Sequence, residues 1–172
     1  GEDQDTAVGD VDFIGQTIST NGGSVTATGV NILAGGISST NAVTLTATVA
    51  VTLDGAIATN GAVGITGPSG ITAQNSASIT TDGDAVTLNN SIELNTGFQI
   101  DTTNGGGNAA GANITLNGVT SVGGAQGITL VAGTGGDVSV TGASGSGIDP
   151  LGGFTVSSAD DVATGAITSN DI

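Results

Sequence analysis

The chain has 172 residues, enough for one domain, and a net charge of −15, because fifteen acidic residues are accompanied by no Lys, Arg or His. Without cations it has nothing to set against nucleic-acid phosphates, and anionic membrane surfaces would repel it. The absence of Cys also excludes disulfides and thiolate metal sites.

The composition indicates an all-β chain. Charged residues are 9% and hydrophobic residues 37%, which is not the composition of a charge-swollen disordered segment. The apolar residues are mainly Val, Ile, Leu and Ala, and most of the others are Gly, Thr, Ser and Asn. β-Branched side chains favour a pleated, half-buried surface, and strong helix formers other than Ala are scarce.

A short recurring phrase organises the chain after its first residues. We interpret the acidic residues 1–9 as an N-terminal arm or linker, and residues 10–172 as a single β-solenoid. The phrase reads ISTNGGSV, IATNGAV and ITTDGDAV, which predicts strand, tight turn and strand, because Asn, Asp and Gly tolerate left-handed backbone. Complete, looser or partial copies begin at Ile18, Ile37, Ile57, Ile79, Ile100 and Ile167.

The turn of each copy carries Asn or Asp. From Asn21 to Asn104 successive turns are 20, 19, 22 and 22 residues apart. A period of about 19–22 residues fits one coil of a parallel β-solenoid, whereas a β-sandwich shows frequent turns without repeating the same words. We predict that the turn residues form a structural ladder of corner side chains: Asn21, Asn41, Asn60, Asp82, Asn104 and Asn170.

Strict alternation supports the assignment to strands. From Val43 to Leu53 aliphatic residues alternate mostly with Thr, which places the aliphatics in a narrow core and Thr on a solvated face. Two Gly-rich stretches, near residues 105–112 and 142–153, interrupt the pattern and are interpreted as insertions. We expect about eight coils, each rising ~4.8 Å.

The last quarter of the chain carries words that resemble those of a known family. Thr129–Gly133 reads TLVAG, Asp137–Val140 reads DVSV, Pro150–Val156 reads PLGGFTV and Ser158–Val162 reads SADDV. This succession resembles the repeats of filamentous-haemagglutinin-like surface proteins. The resemblance implies a right-handed parallel β-helix in a secreted bacterial surface or extracellular protein.

Asp82 and Asp84 are the first candidates for a Ca²⁺ site. They flank Gly83 at a corner, where their carboxylates and nearby carbonyls supply part of the roughly six to eight oxygens that Ca²⁺ prefers. The opposing interpretation is that both are solvated corner carboxylates, since a charge of −15 attracts counterions without a dedicated site.

Three other functions compete with a structural one. Paired carboxylates serve glycosidases, but this chain has no Lys, Arg or His to hold an anionic sugar, so we predict no enzyme. Glycan binding would be favoured by an exposed Phe or an acidic groove. Ice binding would be favoured by an ordered Thr-X-Thr array on one flat face; Thr26 with Thr28 and Thr44 with Thr46 supply two pairs, and the other coils do not clearly repeat them.

The two ends of the chain carry similar words. Residues 161–170 parallel residues 10–21, and the last coil is predicted to be unfinished. An open solenoid end exposes unpaired backbone groups and invites edge-to-edge growth. We therefore predict end-to-end continuation, into a second copy or into the rest of a longer chain, through Phe13, Ile18, Ile167 and Ile172.

The sequence thus predicts a non-enzymatic structural or adhesive segment of a secreted β-helical fibre or cell-surface protein. Its expected partners are copies of itself or further coils of its own chain, and a host or cell-surface glycan is a further candidate. Neither nucleic acid nor membrane insertion is expected. The alternative is a ligand-binding solenoid that takes ice or a glycan, and Ca²⁺ is the one cofactor considered.

Overall fold

The structure is a computed structural model, and it describes residues 9–146 and 149–170. Within these ranges it contains eighteen β-strands and no helix, so none of the described segments is a helix able to span a membrane. The strands pair in parallel and stack coil upon coil. The predicted all-β parallel solenoid is therefore confirmed.

Each complete coil contributes a strand to three parallel stacks, which the chain visits in the order one, two, three. Stack one contains β3 (Val25–Ala34), β5 (Val43–Leu53), β7 (Val63–Thr66), β10 (Val86–Leu88), β13 (Ile114–Leu116), β16 (Val138–Val140) and β18 (Val162–Thr164). Stack two contains β1 (Val11–Asp12), the second halves of β3 and β5, β8 (Ile71–Ala73), β11 (Ile92–Leu94) and β14 (Val119–Ser121). Stack three contains β2 (Thr17–Ser19), β4 (Gly36–Ser39), β6 (Ala56–Thr59), β9 (Ser78–Thr81), β12 (Phe98–Asp101), β15 (Ile128–Val131) and β17 (Phe154–Ser158).

The isoleucines that open the recurring phrase lie in register along stack three. Ile18 pairs with Ile37, Ile37 with Ile57, Ile57 with Ile79 and Ile79 with Ile100. The same row continues through two further aliphatic residues, Leu130 and Val156. The sequence pattern thus identified this row of the core correctly for its first five members.

Coil length changes along the solenoid. In stacks one and three, paired residues are 18–23 positions apart as far as Val86 and Ile100, and 24–30 positions apart beyond them. The two stretches predicted as insertions fall between β12 and β13 and between β16 and β17. Because the longer coils consume more residues, the chain makes about seven turns rather than the eight expected.

The core is a column of aliphatic side chains between the three stacks. Alternation turns one residue in two inward, so that strands such as β10 and β13 read buried, half-buried, buried. Their inward residues are no more than 1% exposed, and full burial of such a side chain contributes about 1.5–3 kcal/mol. No coil buries its aliphatic residues without its neighbours. The core is therefore closed along the solenoid and open only at the two end coils of the described residues.

Candidate functional site

The corner between stack three and stack one is held by hydroxyl groups. Each phrase places Ser or Thr two residues after its isoleucine, and the last four of these side chains are at most 5% exposed. Their oxygens reach backbone of the same corner or of an adjacent coil: Ser39 Oγ lies 2.9 Å from the Gly23 carbonyl, and the Thr59 hydroxyl donates to the Asn41 carbonyl. The row comprises Thr20, Ser39, Thr59, Thr81 and Thr102.

The predicted Asn and Asp ladder lies at the same corner for five of its six members, but its side chains are not what joins the coils. Among the described residues, only Asn41 of this series bonds another coil through its side chain, with Nδ2 donating to the Gly22 carbonyl at 3.0 Å. Register explains the difference. The hydroxyl is always two residues after the isoleucine, whereas the Asn or Asp follows it by three residues in some coils and by four in others: Asn21, Asn41, Asn60, Asp82 and Asn104.

Asn170 is placed differently from its prediction. Ile167 bridges to Ser144 next to stack two, and the Asn170 N–H donates to the Leu151 carbonyl at 2.9 Å. Asn170 therefore lies at the corner between stacks two and three. The final copy of the phrase resembles the others in letters, but strand pairing assigns it to another side of the solenoid.

Asp82 and Asp84 lie on either side of Gly83, whose φ of +84° makes the corner turn. Both carboxylates are half-buried, and no group of three or more potential metal-ligating side chains exists in the described ranges. Their carbonyls already accept hydrogen bonds, from Asn108 Nδ2 at 3.2 Å and from the Thr81 hydroxyl. This geometry favours diffuse attraction of cations over a dedicated Ca²⁺ site.

Asp101 organises the first insertion. Its side chain is 9% exposed, and its Oδ1 accepts from the Thr103 N–H at 2.7 Å and the Thr103 hydroxyl at 2.6 Å. Its Oδ2 accepts from the Gly105 N–H at 3.1 Å. Three donors thus satisfy this buried carboxylate without a cation, which makes it a structural group of the turn.

A second ladder, missed by sequence reasoning, joins the last three coils just before stack one. Asn113 Oδ1 accepts the Asp137 N–H at 2.9 Å, and Asp137 Oδ1 accepts the Asp161 N–H at 3.3 Å. Asp161 Oδ1 occupies the next position of this series and has no donor among the described residues. The available signal was the Asn or Asp directly before Ile114, Val138 and Val162.

The end of the solenoid at β18 is open within the described part of the chain. β18 pairs only with β16, all three of its residues are exposed, and the Val162 side chain is 53% exposed. In earlier coils, the residue aligned with Val162 donates its backbone N–H to a carbonyl of the following coil. Val138 N, for example, donates to the Asp161 carbonyl at 2.9 Å. The Val162 N–H therefore points out of this end.

The end at β1 and β2 is the counterpart. The Ala42 carbonyl faces the preceding coil, where it accepts the Val25 N–H at 3.0 Å. Ser24 is aligned with Ala42 one coil earlier, so its carbonyl points out of this end. Phe13 and Ile18 are half-buried there; Phe13 N donates to the Leu33 carbonyl and Ile18 pairs with Ile37. Ile172 and residues 1–8 of the predicted arm lie outside the described residues.

The two ends present the same three stacks. Among the described residues, stack one ends at Val162 and begins at Val25, and stack three ends at Val156 and begins at Ile18. Stack two begins at Val11, and its register continues through the bridge at Ile167. The stacks therefore place Ile167 opposite Val11, two residues from the predicted contact Phe13. They also assign the words at 10–21 and 161–170 to different stacks, because Val11 belongs to stack two and Val162 to stack one.

A shallow groove of about 490 Å³ runs along stack three. It has neither the exposed Phe nor the acidic lining that would favour glycan binding. One side is lined by small residues of consecutive coils, namely Ser76, Gly97, Gly127 and Gly153. The rings of Phe98 and Phe154 are 3% and 4% exposed, so they cannot stack on a sugar ring, and no carboxylate lines the groove.

Comparison of the chain with family models, with curated proteins and with solved structures gives no match.

Proposed function

We propose that this chain is a non-enzymatic structural or adhesive segment of a secreted β-helical fibre or cell-surface protein, and that isolated copies stack end to end. The observation that carries the proposal is the correspondence between the two ends. Within the described residues, each end presents open strand edges of the same three stacks, to which the strands of a second copy can add. The words of the last quarter, which resemble filamentous-haemagglutinin-like repeats, support an extracellular location.

The backbone groups at the ends are complementary. Within the described residues, the Val162 N–H and Asp161 Oδ1 at one end have no partner, and the Ser24 carbonyl at the other accepts no hydrogen bond. Stack one therefore offers a backbone donor at one end and a backbone acceptor at the other. Unpaired strand edges of this kind template the addition of another strand.

Apolar surface at the ends adds to the driving force. Val162 is 53% exposed and Ile14 is 37% exposed, and both belong to end coils. Stacking covers end-coil side chains of this kind, and covered apolar area contributes about 25 cal/mol per Å². The opposing force is repulsion between two chains of charge −15, which salt screens.

The test compares Val162→Pro with Val162→Thr by sedimentation velocity and negative-stain electron microscopy, at about 1 M NaCl, where the Debye length is ~3 Å. Proline removes the outward N–H but is tolerated at the first position of a strand, whereas threonine keeps the N–H and the β-branched shape. We expect linear oligomers for the wild type and Val162→Thr, and mainly monomers for Val162→Pro with an unchanged circular dichroism spectrum. A wild-type chain that stays monomeric at every concentration, or equal assembly by both variants, refutes end-to-end stacking.

A further inference from the structure

The outward face of stack one carries two parallel rows of small neutral side chains. The strand register aligns the first row as Thr26, Thr44, Gly64, Thr87, Thr115, Ser139 and Ala163. The second row, two residues further along each strand, begins with Thr28, Thr46 and Thr66 and continues with Asn89, Asn117 and Thr141. Thr-X-Thr is complete in only two adjacent coils, Thr26 with Thr28 and Thr44 with Thr46, as expected from the sequence; the other coils have Gly, Asn, Ser or Ala at one or both positions. We call the two rows together the stack-one array.

The array is a two-dimensional lattice of nearly fixed spacing. Neighbouring coils are ~4.8 Å apart, and residues i and i+2 of one strand are about 6.6 Å apart. Threonine is stiff at χ1, so its hydroxyl and methyl groups hold their positions on a rigid strand. Both spacings are of the same order as the separations between water molecules on the faces of an ice crystal.

The hydroxyls of the array are available to water. Among the described residues, no protein hydrogen bond is made by the side chains of Thr26, Thr28, Thr44, Thr46 or Thr115, whereas Thr66 Oγ1 accepts from Asn89 Nδ2 at 2.8 Å. The first four of these threonines are exposed and Thr115 is half-buried. They therefore face solvent as an unpaired set of donors and acceptors.

The same face is free of charge in a strongly acidic chain. None of the two rows' positions is Asp or Glu, although the net charge is −15. The described acidic residues lie at corners, at the ends or, as with Glu93 and Asp101, on stacks two and three. A carboxylate would impose its own hydration shell on neighbouring water. A protein partner would be expected to meet aromatic or Arg anchors, and the two rows contain neither.

We infer that the outward face of stack one binds ice, by holding water in the order of its hydroxyl and methyl lattice and adsorbing to the growing crystal. The inference goes beyond the fibre proposal and does not depend on it. A single coil contributes at most two hydroxyls, so the affinity comes from the array as a whole, about 30 Å tall over seven coils at ~4.8 Å each. Adsorbed protein then slows crystal growth and shapes the crystal.

The test is partition of the purified chain into slowly grown ice, together with the freezing-point gap and crystal shape. The double variant Thr44→Tyr/Thr46→Tyr places two bulky rings within the array. Its control is Thr52→Tyr/Thr72→Tyr on the outward side of stack two, where the two threonines are paired across adjacent coils. We expect enrichment in ice and a measurable freezing-point gap for the wild type and the control, and loss of both for the variant on stack one.

Two results overturn the inference. One is exclusion of the wild-type chain from ice to the same degree as an inert protein of similar size. The other is equal loss of ice binding in both double variants, since the effect would then not belong to stack one. Sedimentation at the same concentration tests whether this face binds a second copy of the chain instead. A wild-type dimer that the Thr44→Tyr/Thr46→Tyr variant dissociates would assign the face to that second copy. Circular dichroism of each variant establishes that the solenoid is intact.

Discussion

At the scale of single residues, the corners depend on buried hydroxyls. Thr102 is fully buried, and its Oγ1 accepts the Ala112 N–H at 2.9 Å while lying 2.9 Å from the Ala112 carbonyl and 3.2 Å from the Val131 carbonyl. One hydroxyl therefore joins the end of the first insertion to the next coil. A buried donor or acceptor left without its partner costs about 1–3 kcal/mol.

Replacing this hydroxyl is expected to destabilise the solenoid. Thr102→Val keeps the side-chain shape but leaves the Ala112 N–H without its acceptor, so the free energy of unfolding should fall by about 1–3 kcal/mol. Thr80→Val is the matched control, because Thr80 is half-buried on the same stack and its side chain makes no hydrogen bond in the structure. Urea titration measures both, and an equal loss in the two variants would contradict the role of Thr102.

The row of isoleucines was predictable because hydrophobic periodicity and repeated wording both mark it. The hydroxyls next to it were visible as the third residue of each phrase, but Ser and Thr are equally common in turns, so their burial left no separate signal. The Asn and Asp series was the more conspicuous pattern, and yet its offset from the isoleucine varies between Asn21 and Asn41. A one-residue change of offset turns a side chain to the other side of the backbone.

At the scale of elements, the first insertion is packed against the corner that follows β15. Thr134 N donates to the Ala109 carbonyl at 3.0 Å and Gly135 N to the Ala110 carbonyl at 2.9 Å. Gly133 has φ of +83°, and a Cβ there would lie 2.4 Å from the Ala110 carbonyl oxygen. The insertion is thus a part of the wall, and its backbone leaves no room for a side chain at Gly133.

Substitution of Gly133 separates backbone strain from close packing. Gly133→Ala is expected to cost about 1–2 kcal/mol for the left-handed backbone and a further 1–3 kcal/mol or so for the clash with Ala110. Gly105→Ala is the control, since Gly105 has φ of +65° but nothing within 4 Å of the added Cβ. Unfolding by urea should show the larger loss for Gly133→Ala, and a loss equal to that of Gly105→Ala would place the insertion away from this corner.

The elements also show where sequence reasoning reached its limit. Both insertions were located from their Gly-rich composition, but composition does not say which strand pairs with which once coil length changes. Ile167 was interpreted as the start of another copy of the phrase because every side of the solenoid uses the same apolar and small polar letters. Its bridge to Ser144 and the bond from Asn170 to Leu151 distinguish the sides. The alignment of small neutral side chains along stack one was concealed in the same way.

At the scale of the whole molecule, charge is the feature that no internal contact offsets. The chain has no cationic side chain, so none of its fifteen acidic side chains can form an ion pair with another side chain. The fold also brings some carboxylates together, because Asp137 and Asp161 occupy the same position in consecutive coils, ~4.8 Å apart along the axis. Folding therefore concentrates negative charge, and counterions must offset the repulsion.

Divalent cations are accordingly expected to stabilise the solenoid more than NaCl at equal ionic strength. A gain of about 1 kcal/mol corresponds to a rise in Tm of about 2–4 °C for a chain of this size. Because no third carboxylate joins Asp82 and Asp84 within the described residues, Mg²⁺ and Ca²⁺ should act alike, and Asp82→Asn/Asp84→Asn should leave that equality unchanged. Calorimetry with each salt, and with a chelator as control, measures the effect. A Ca²⁺ preference that the double variant abolishes would instead establish a dedicated site at this corner, and an unchanged Tm in all three salts would show that folding does not depend on divalent counterions.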